Sequence, residues 1–188
     1  MNNKLFIALL FLALFAFVYL FIPEANDSNF DVRYEDSIYE GANFSFEYSN
    51  ELVLNEEGGR VKLFHDIPFE NQGACDMAPE PEIQDRLTDF EVVIYVSYNV
   101  DPLPYIDGEV EYGKLDGKFA YMGAEGCGIS IYHFPFGEEQ TLVIERSSIQ
   151  ALSGVANKEI ERQALEVPGA ISLEKNETLF KQIVSSIR

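Results

Sequence analysis

The chain has no tryptophan, two cysteines, two histidines and only 13 basic residues against 32 acidic ones in 188. Each shortage excludes something. The formal net charge of −19 leaves no basic footprint for the phosphates of nucleic acid or the headgroups of anionic lipid. Two thiols cannot by themselves furnish a four-ligand zinc site. Cys75 and Cys127 are also far from the C-x-x-C spacing of a redox pair. No G-x-S-x-G elbow, S-x-x-K, H-E-x-x-H, Walker loop or G-x-G-x-x-G is present. GAEGCG at 123–128 is glycine-rich but lacks the continuation of a phosphate loop, and reads as a turn beside a cysteine.

One feature is present in full. Residues 5–22, LFIALLFLALFAFVYLFI, carry no charge and no strong polar group. As a helix at ~1.5 Å per residue they approach the ~30 Å hydrocarbon core of a bilayer. Lys4 is the only basic residue before Arg33, so the positive-inside bias puts the remainder outside the cytoplasm. Cleavage after Ala25 would place Pro23 at an unfavourable position, and no lipoprotein cysteine follows the apolar run. An uncleaved anchor is the expectation, with a cleaved signal peptide as the alternative. A buried core helix is the third reading, with nothing comparable in the chain to pack against it.

The organisation expected is a signal anchor at 1–22, an acidic linker at 23–40 and an extracytoplasmic domain at 41–188. The domain is long enough to bury a proper core. Its acidity is the ordinary device of a soluble surface, and it would also attract cations or basic partners. In an oxidising compartment an even cysteine count reads as a disulfide. A Cys75–Cys127 bond would close a loop of 127 − 75 = 52 residues, worth roughly 4 kcal/mol in the chain-entropy model.

Along the domain, Phe44, Phe46 and Tyr48 alternate as in a half-buried strand, and Gly58-Gly59 separates 52–54 from 61–64 as in a hairpin. Residues 65–86 form a long proline- and glycine-broken loop. FEVVIYVSY at 90–98 is the strongest strand, and 118–121, 129–134 and 141–145 are further strands. Residues 101–108 form a loop. Ile160, Ala164 and Val167 suggest a short helix before Pro168-Gly169. Leu179, Phe180, Ile183, Val184 and Ile187 give one apolar face to a C-terminal helix over 177–187, with Asn176 as N-cap.

Two blocks, HDIPFENQGACD with LTDFEVVIYV, and GKLDGKFAYMGAEGCGISIYHFPFGEEQTLVIER with VPGAIS and the ending LFKQIVSSIR, resemble a group of small single-anchor proteins of candidate-phyla bacteria. There an opening G-x-x-F-x-F-x-Y strand and a closing helix bracket one domain, as in PsbP-like domains. The resemblance covers about residues 40–188. It implies an α+β fold, mainly an antiparallel sheet covered by helices, a PsbP-like sandwich preceded by one transmembrane helix. It carries no catalytic residues and implies an assembly or binding role.

His65 and His133 would form a metal site with Asp66, Glu70 or Asp76 only if the fold brings them together. The plainer reading has His65 capping a strand and His133 facing solvent. Carboxylate pairs are too abundant to single out a glycosidase. The loop at 101–117 offers at most weak calcium binding. No catalytic residue, metal or cofactor is expected. The function expected is a membrane-tethered, non-catalytic accessory or binding domain with a protein or peptide partner and no nucleic acid. Its candidate surface is Asp66, Glu70, Asp76, Tyr98, Tyr105 and Tyr112. The alternative is an extracytoplasmic hydrolase with an acid–base carboxylate pair.

Overall fold

The computed structural model describes residues 36–71, 83–153, 155 and 157–188. Two strands, β1 (Asp36–Glu40) and β2 (Ser45–Ser49), form an antiparallel hairpin of their own. Seven more form the main sheet: β3 (Val53–Glu57), β4 (Arg60–Ile67), β5 (Leu87–Ser97), β6 (Gly108–Tyr112), β7 (Leu115–Ala124), β8 (Cys127–Phe136) and β9 (Gln140–Ser148). Their order is β3-β4-β5-β9-β8-β7-β6, with every neighbouring pair antiparallel. After β5 the chain therefore crosses to the far edge and returns by a meander to pair β9 with β5.

Helices α1 (Lys158–Leu165) and α2 (Leu173–Ser186) complete an α+β fold. On β5, Phe90, Val92 and Ile94 are fully buried, and Tyr132 with Phe134 on β8 and Leu142 with Ile144 on β9 join them. Side chains alternate across a strand, so these residues define one face. Leu179, Phe180, Ile183 and Val184 of α2 close over that face. The spacing of these four is the i, i+3/i+4 stripe that drives an amphipathic helix onto a sheet. The hairpin flanks α2 and adds Phe44 and Phe46 to the same core, with Tyr39 5.1 Å and Tyr48 5.9 Å from the Phe46 ring. The chain end is tied in by a reciprocal backbone pair, Arg188 N to Ser45 O at 3.0 Å and Ser45 N to Arg188 O at 2.9 Å.

The opposite face carries cross-strand charge pairs: Arg60–Glu145 at 2.8 Å and Lys62–Glu91 at 2.5 Å. Helix α1 packs at one end of the sheet, where Ile67, Leu87, Leu152 and Ala164 form a second apolar cluster. The described residues fall within one compact unit.

Several local features differ from the sequence reading. Asp36–Glu40, read as the end of an acidic linker, is strand β1, whose alternation of exposed and half-buried residues is masked by its acids. Strand β6 was not anticipated, because GEVEY offers only Val110 and Tyr112 as apolar positions. Asn176 is not the N-cap of the last helix. Ser172 is, accepting from Lys175 N at 3.3 Å, while Asn176 lies buried in the first turns. GAEGCG is the β7–β8 hairpin turn, with Glu125 at φ 52° and Gly126 at φ 78°, the two positive values of a type I′ loop.

No helix among the described residues is long and apolar enough to cross a membrane. The apolar segment 5–22 lies outside them, as do Cys75 and Asp76.

Candidate functional site

Two places in the domain gather polar chemistry. The first is a buried network beneath the start of α2. Asp89, at the β5 end where the β4–β5 register shifts between His65 and Asp66, has no solvent exposure. Its Oδ1 lies 2.6 Å from His65 Nδ1, and its Oδ2 accepts from Ile171 N at 2.7 Å. Asn176 donates to the Asp89 carbonyl at 2.9 Å and accepts from Arg146 at 2.8 Å. Arg146 in turn pairs with Glu177 at 2.6 Å and lies 4.4 Å from the Phe180 ring centroid. A buried carboxylate needs this many partners, since each unmet polar group costs about 1–3 kcal/mol.

The hydrogen bond to Asp89 raises the His65 pKa above its ordinary value, against the opposing effect of burial. Glu51 and Lys175, 2.5 Å apart, act on the same ring with opposite signs. A histidine oriented by an aspartate is half of a base-and-nucleophile arrangement. Among the described residues no hydroxyl or thiol is hydrogen-bonded to His65 to supply the other half. The network fastens β4, β5, β9 and α2 to one another.

The second place is a cleft of about 1060 Å³. One wall is the β5–β6 connection, with Val100, Pro102, Leu103 and Ile106. The floor is four adjacent strands, with Glu109, Val110 and Glu111 from β6, Asp116, Gly117 and Lys118 from β7, His133 and Pro135 from β8, and Thr141 from β9. Tyr132 and Phe134 face α2, so His133 and Pro135 lie on the other side of the sheet. The connection is fixed in place from β7. Asp107 N donates to Phe119 O at 2.9 Å, Asp107 Oδ2 accepts from Tyr121 N at 2.6 Å, and the Tyr105 hydroxyl donates to the Tyr121 carbonyl. Burial lowers the His133 pKa, so the ring is neutral at pH 7. The cleft thus has an apolar wall, an acidic rim and one neutral imidazole in its floor.

The residues singled out from sequence do not form one surface. Asp66 accepts from Thr88 at 2.6 Å beside Arg86, and Glu70 is exposed just beyond it. Tyr98 and Tyr105 are exposed at the other end of β5. Thr88 and Tyr98 are ten residues apart, and an extended strand of that length separates them by roughly 33 Å. Tyr112 is half-buried, with its ring turned to the core. Its ring packs 5.5 Å from Phe180 and 6.2 Å from Tyr132, and burial first, then Tyr132 and Glu177, push its pKa up to about 12. Of the five that are described, Tyr105 alone belongs to the cleft region, as a strut of its wall. Asp76 lies outside the described residues.

His65 and His133 sit on opposite faces of the sheet with β5 and β9 between their strands, so no site includes both. No cluster of metal-ligating side chains occurs among the described residues. Cys127 begins β8, is 3% exposed and is not a free thiol. Cys75 lies outside the described residues. What sequence reasoning missed is Asp89, Arg146 and the cleft. Asp89 stood just outside the apolar run taken as the strand, and the cleft joins segments about forty residues apart.

No family model matches the chain, and no curated protein matches it. A crystal structure from Bacteroides thetaiotaomicron VPI-5482 is similar at TM-score 0.39 and 11% identity. The match covers 81% of this chain and 47% of that one, so the chain spans about half the length of this structural neighbour.

Proposed function

We propose that the protein is a membrane-tethered, non-catalytic binding domain outside the cytoplasm, and that its ligand occupies the cleft beneath residues 100–106. The observation that carries this reading is the cleft itself: about 1060 Å³, walled by apolar side chains and rimmed by a few charged ones, on a sheet face that no described helix covers. Pockets of this kind, with a mainly apolar wall and few polar groups, are where ligands bind. Tethering rests on the apolar run 5–22, and a Cys75–Cys127 disulfide fits the compartment that follows from it. A PsbP-like assembly role is part of the same proposal, supported by the sequence blocks and by a C-terminal helix laid on an antiparallel sheet. The hydrolase alternative gains no support from Asp89, the one buried carboxylate among the described residues, because both its oxygens are engaged in fastening the fold.

Site-specific photocrosslinking in native membranes tests the assignment. A benzophenone side chain at Leu103, in the cleft wall, is expected to give discrete adducts. The same group at exposed Gln163 of α1 is expected to give none. Equal adducts from both positions, or none from Leu103, would contradict it.

A further inference from the structure

We propose that the ligand of this cleft is an extended peptide segment with basic residues flanking a short apolar stretch. This rests on the cleft being the binding site, and adds the chemistry of its occupant.

The carboxylates of the cleft are left uncompensated, and they are gathered around one concavity. Some acids elsewhere are matched, Glu145 with Arg60, Glu91 with Lys62, Glu51 with Lys175 and Glu177 with both Arg146 and Lys181, while others such as Glu57 and Asp101 have no cation within 4.0 Å among the described residues. Among the described residues none of Glu109, Glu111, Asp116 and Glu139, the carboxylates of the cleft, has a cation within 4.0 Å. Two of them oppose each other. The β6–β7 register sets Glu111 directly across from Asp116, while Glu109 faces Lys118. Like charges directly opposite in an antiparallel pair are destabilising. A cation delivered by a ligand relieves that repulsion.

The acids also lie at two ends. Glu109, Glu111 and Asp116 belong to the β6–β7 side, and Glu139 to the turn between β8 and β9. Crossing from β6 to β9 takes three strand spacings, roughly 14 Å at about 4.8 Å each. An extended peptide at about 3.3 Å per residue spans this with four to five residues. Between the ends lie Leu103, Ile106 and Pro135, which are apolar. Two cations separated by an apolar middle match this order of charge, contact and charge. A ligand with a single positive group would satisfy one end only. His133, kept neutral by burial, adds no positive charge to the floor near pH 7.

Fluorescence anisotropy with the full chain in detergent tests the inference. The probes are labelled seven-residue peptides in which three apolar residues are flanked by lysines, by glutamines or by glutamates, and a long-chain alkyl diamine as competitor. The lysine peptide is expected to bind at least tenfold more tightly than the other two, and Glu111→Gln and Glu139→Gln are each expected to weaken it three- to tenfold. Both side chains are exposed, so these variants retain the fold. The double reversal Glu111→Lys with Glu139→Lys is expected to transfer the preference to the glutamate peptide. Equal binding of all three peptides, lost on Leu103→Asp but indifferent to the glutamate variants, would overturn the basic-peptide inference and leave the cleft as the site. Displacement by the diamine at equal concentration would overturn the peptide assignment. Binding of no peptide, or binding indifferent to Leu103→Asp, would overturn both.

Discussion

Replacing Asp89 by Asn changes one atom in the interior of the domain and predicts a pH-dependent loss of stability. Asp89 has no exposed surface, and its two oxygens serve His65 Nδ1 at 2.6 Å and Ile171 N at 2.7 Å. An Asn of the same shape keeps one acceptor. The Ile171 amide is a fixed donor, so the Asn oxygen must face it and the new NH2 must face His65. The imidazole can accept there only as the neutral tautomer. The variant therefore gives up a charge-assisted hydrogen bond, worth about 1.5–3 kcal/mol, while the remaining groups stay satisfied. In the native protein the His65 pKa is raised in the fold, chiefly by Asp89. Between the unfolded value near 6.5 and that raised value the folded state holds more protons than the unfolded one. Stability from this pair is thus complete below about pH 6.5 and is lost as pH rises through the folded pKa, at up to about 1.4 kcal/mol per pH unit. His133 acts with the opposite sign. Its folded pKa is lowered by burial, so stability rises with pH through the window below 6.5. The two histidines together place a maximum near pH 6.5, with carboxylates titrating below it. Urea unfolding from pH 5 to 9, followed by near-ultraviolet circular dichroism of the tyrosines, reads the profile. Asp89→Asn is expected to be least stable relative to native protein at pH 6 and to approach it by pH 9, with the falling limb flattened. An equal deficit at every pH would refute the charge-assisted bond.

The remaining predictions concern the core, the disulfide and the anchor. Phe180 is fully buried among Tyr112, Tyr132 and Arg146, so Phe180→Ala is expected to cost about 3–5 kcal/mol in urea unfolding, and an unchanged midpoint would mean that α2 is not docked. Intact mass of unreduced protein is expected to rise by one hydrogen pair on reduction, from a Cys75–Cys127 bond, and two freely alkylated thiols before reduction would contradict it. Full-length chain is expected to stay in the membrane fraction through a carbonate wash, and a soluble form beginning near Asn26 would show a cleaved signal instead.

The elements legible in the sequence are those whose apolar alternation stands out locally. The hairpin around Gly58-Gly59 and strands β5, β8 and β9 follow from their Val, Ile, Leu and aromatic content, and α2 from its stripe. The short α1 was visible through Ala164, which is indeed buried. Strands β1 and β6 were not legible, because DSIYE and GEVEY pair along sheet edges where half the side chains are exposed acids. The place of Asn176 was misread for a different reason. Asn favours N-caps, and only the tertiary demand of the Asp89 carbonyl and Arg146 draws it inside the helix. The candidate surface was assembled from residues close in composition but set at opposite ends of β5. The cleft escaped entirely, because its wall is a loop and its floor is drawn from four separate strands.

The absence of tryptophan from the chain makes a direct test of cleft occupancy available. Leu103→Trp places a single indole in the cleft wall, and Ile160→Trp places one on α1, away from it. On titration with the lysine-flanked peptide, emission from position 103 is predicted to shift to the blue and saturate, as the indole leaves water, while emission from position 160 stays constant. No change at 103, or the same change at both positions, would contradict the assignment of the cleft as the binding site.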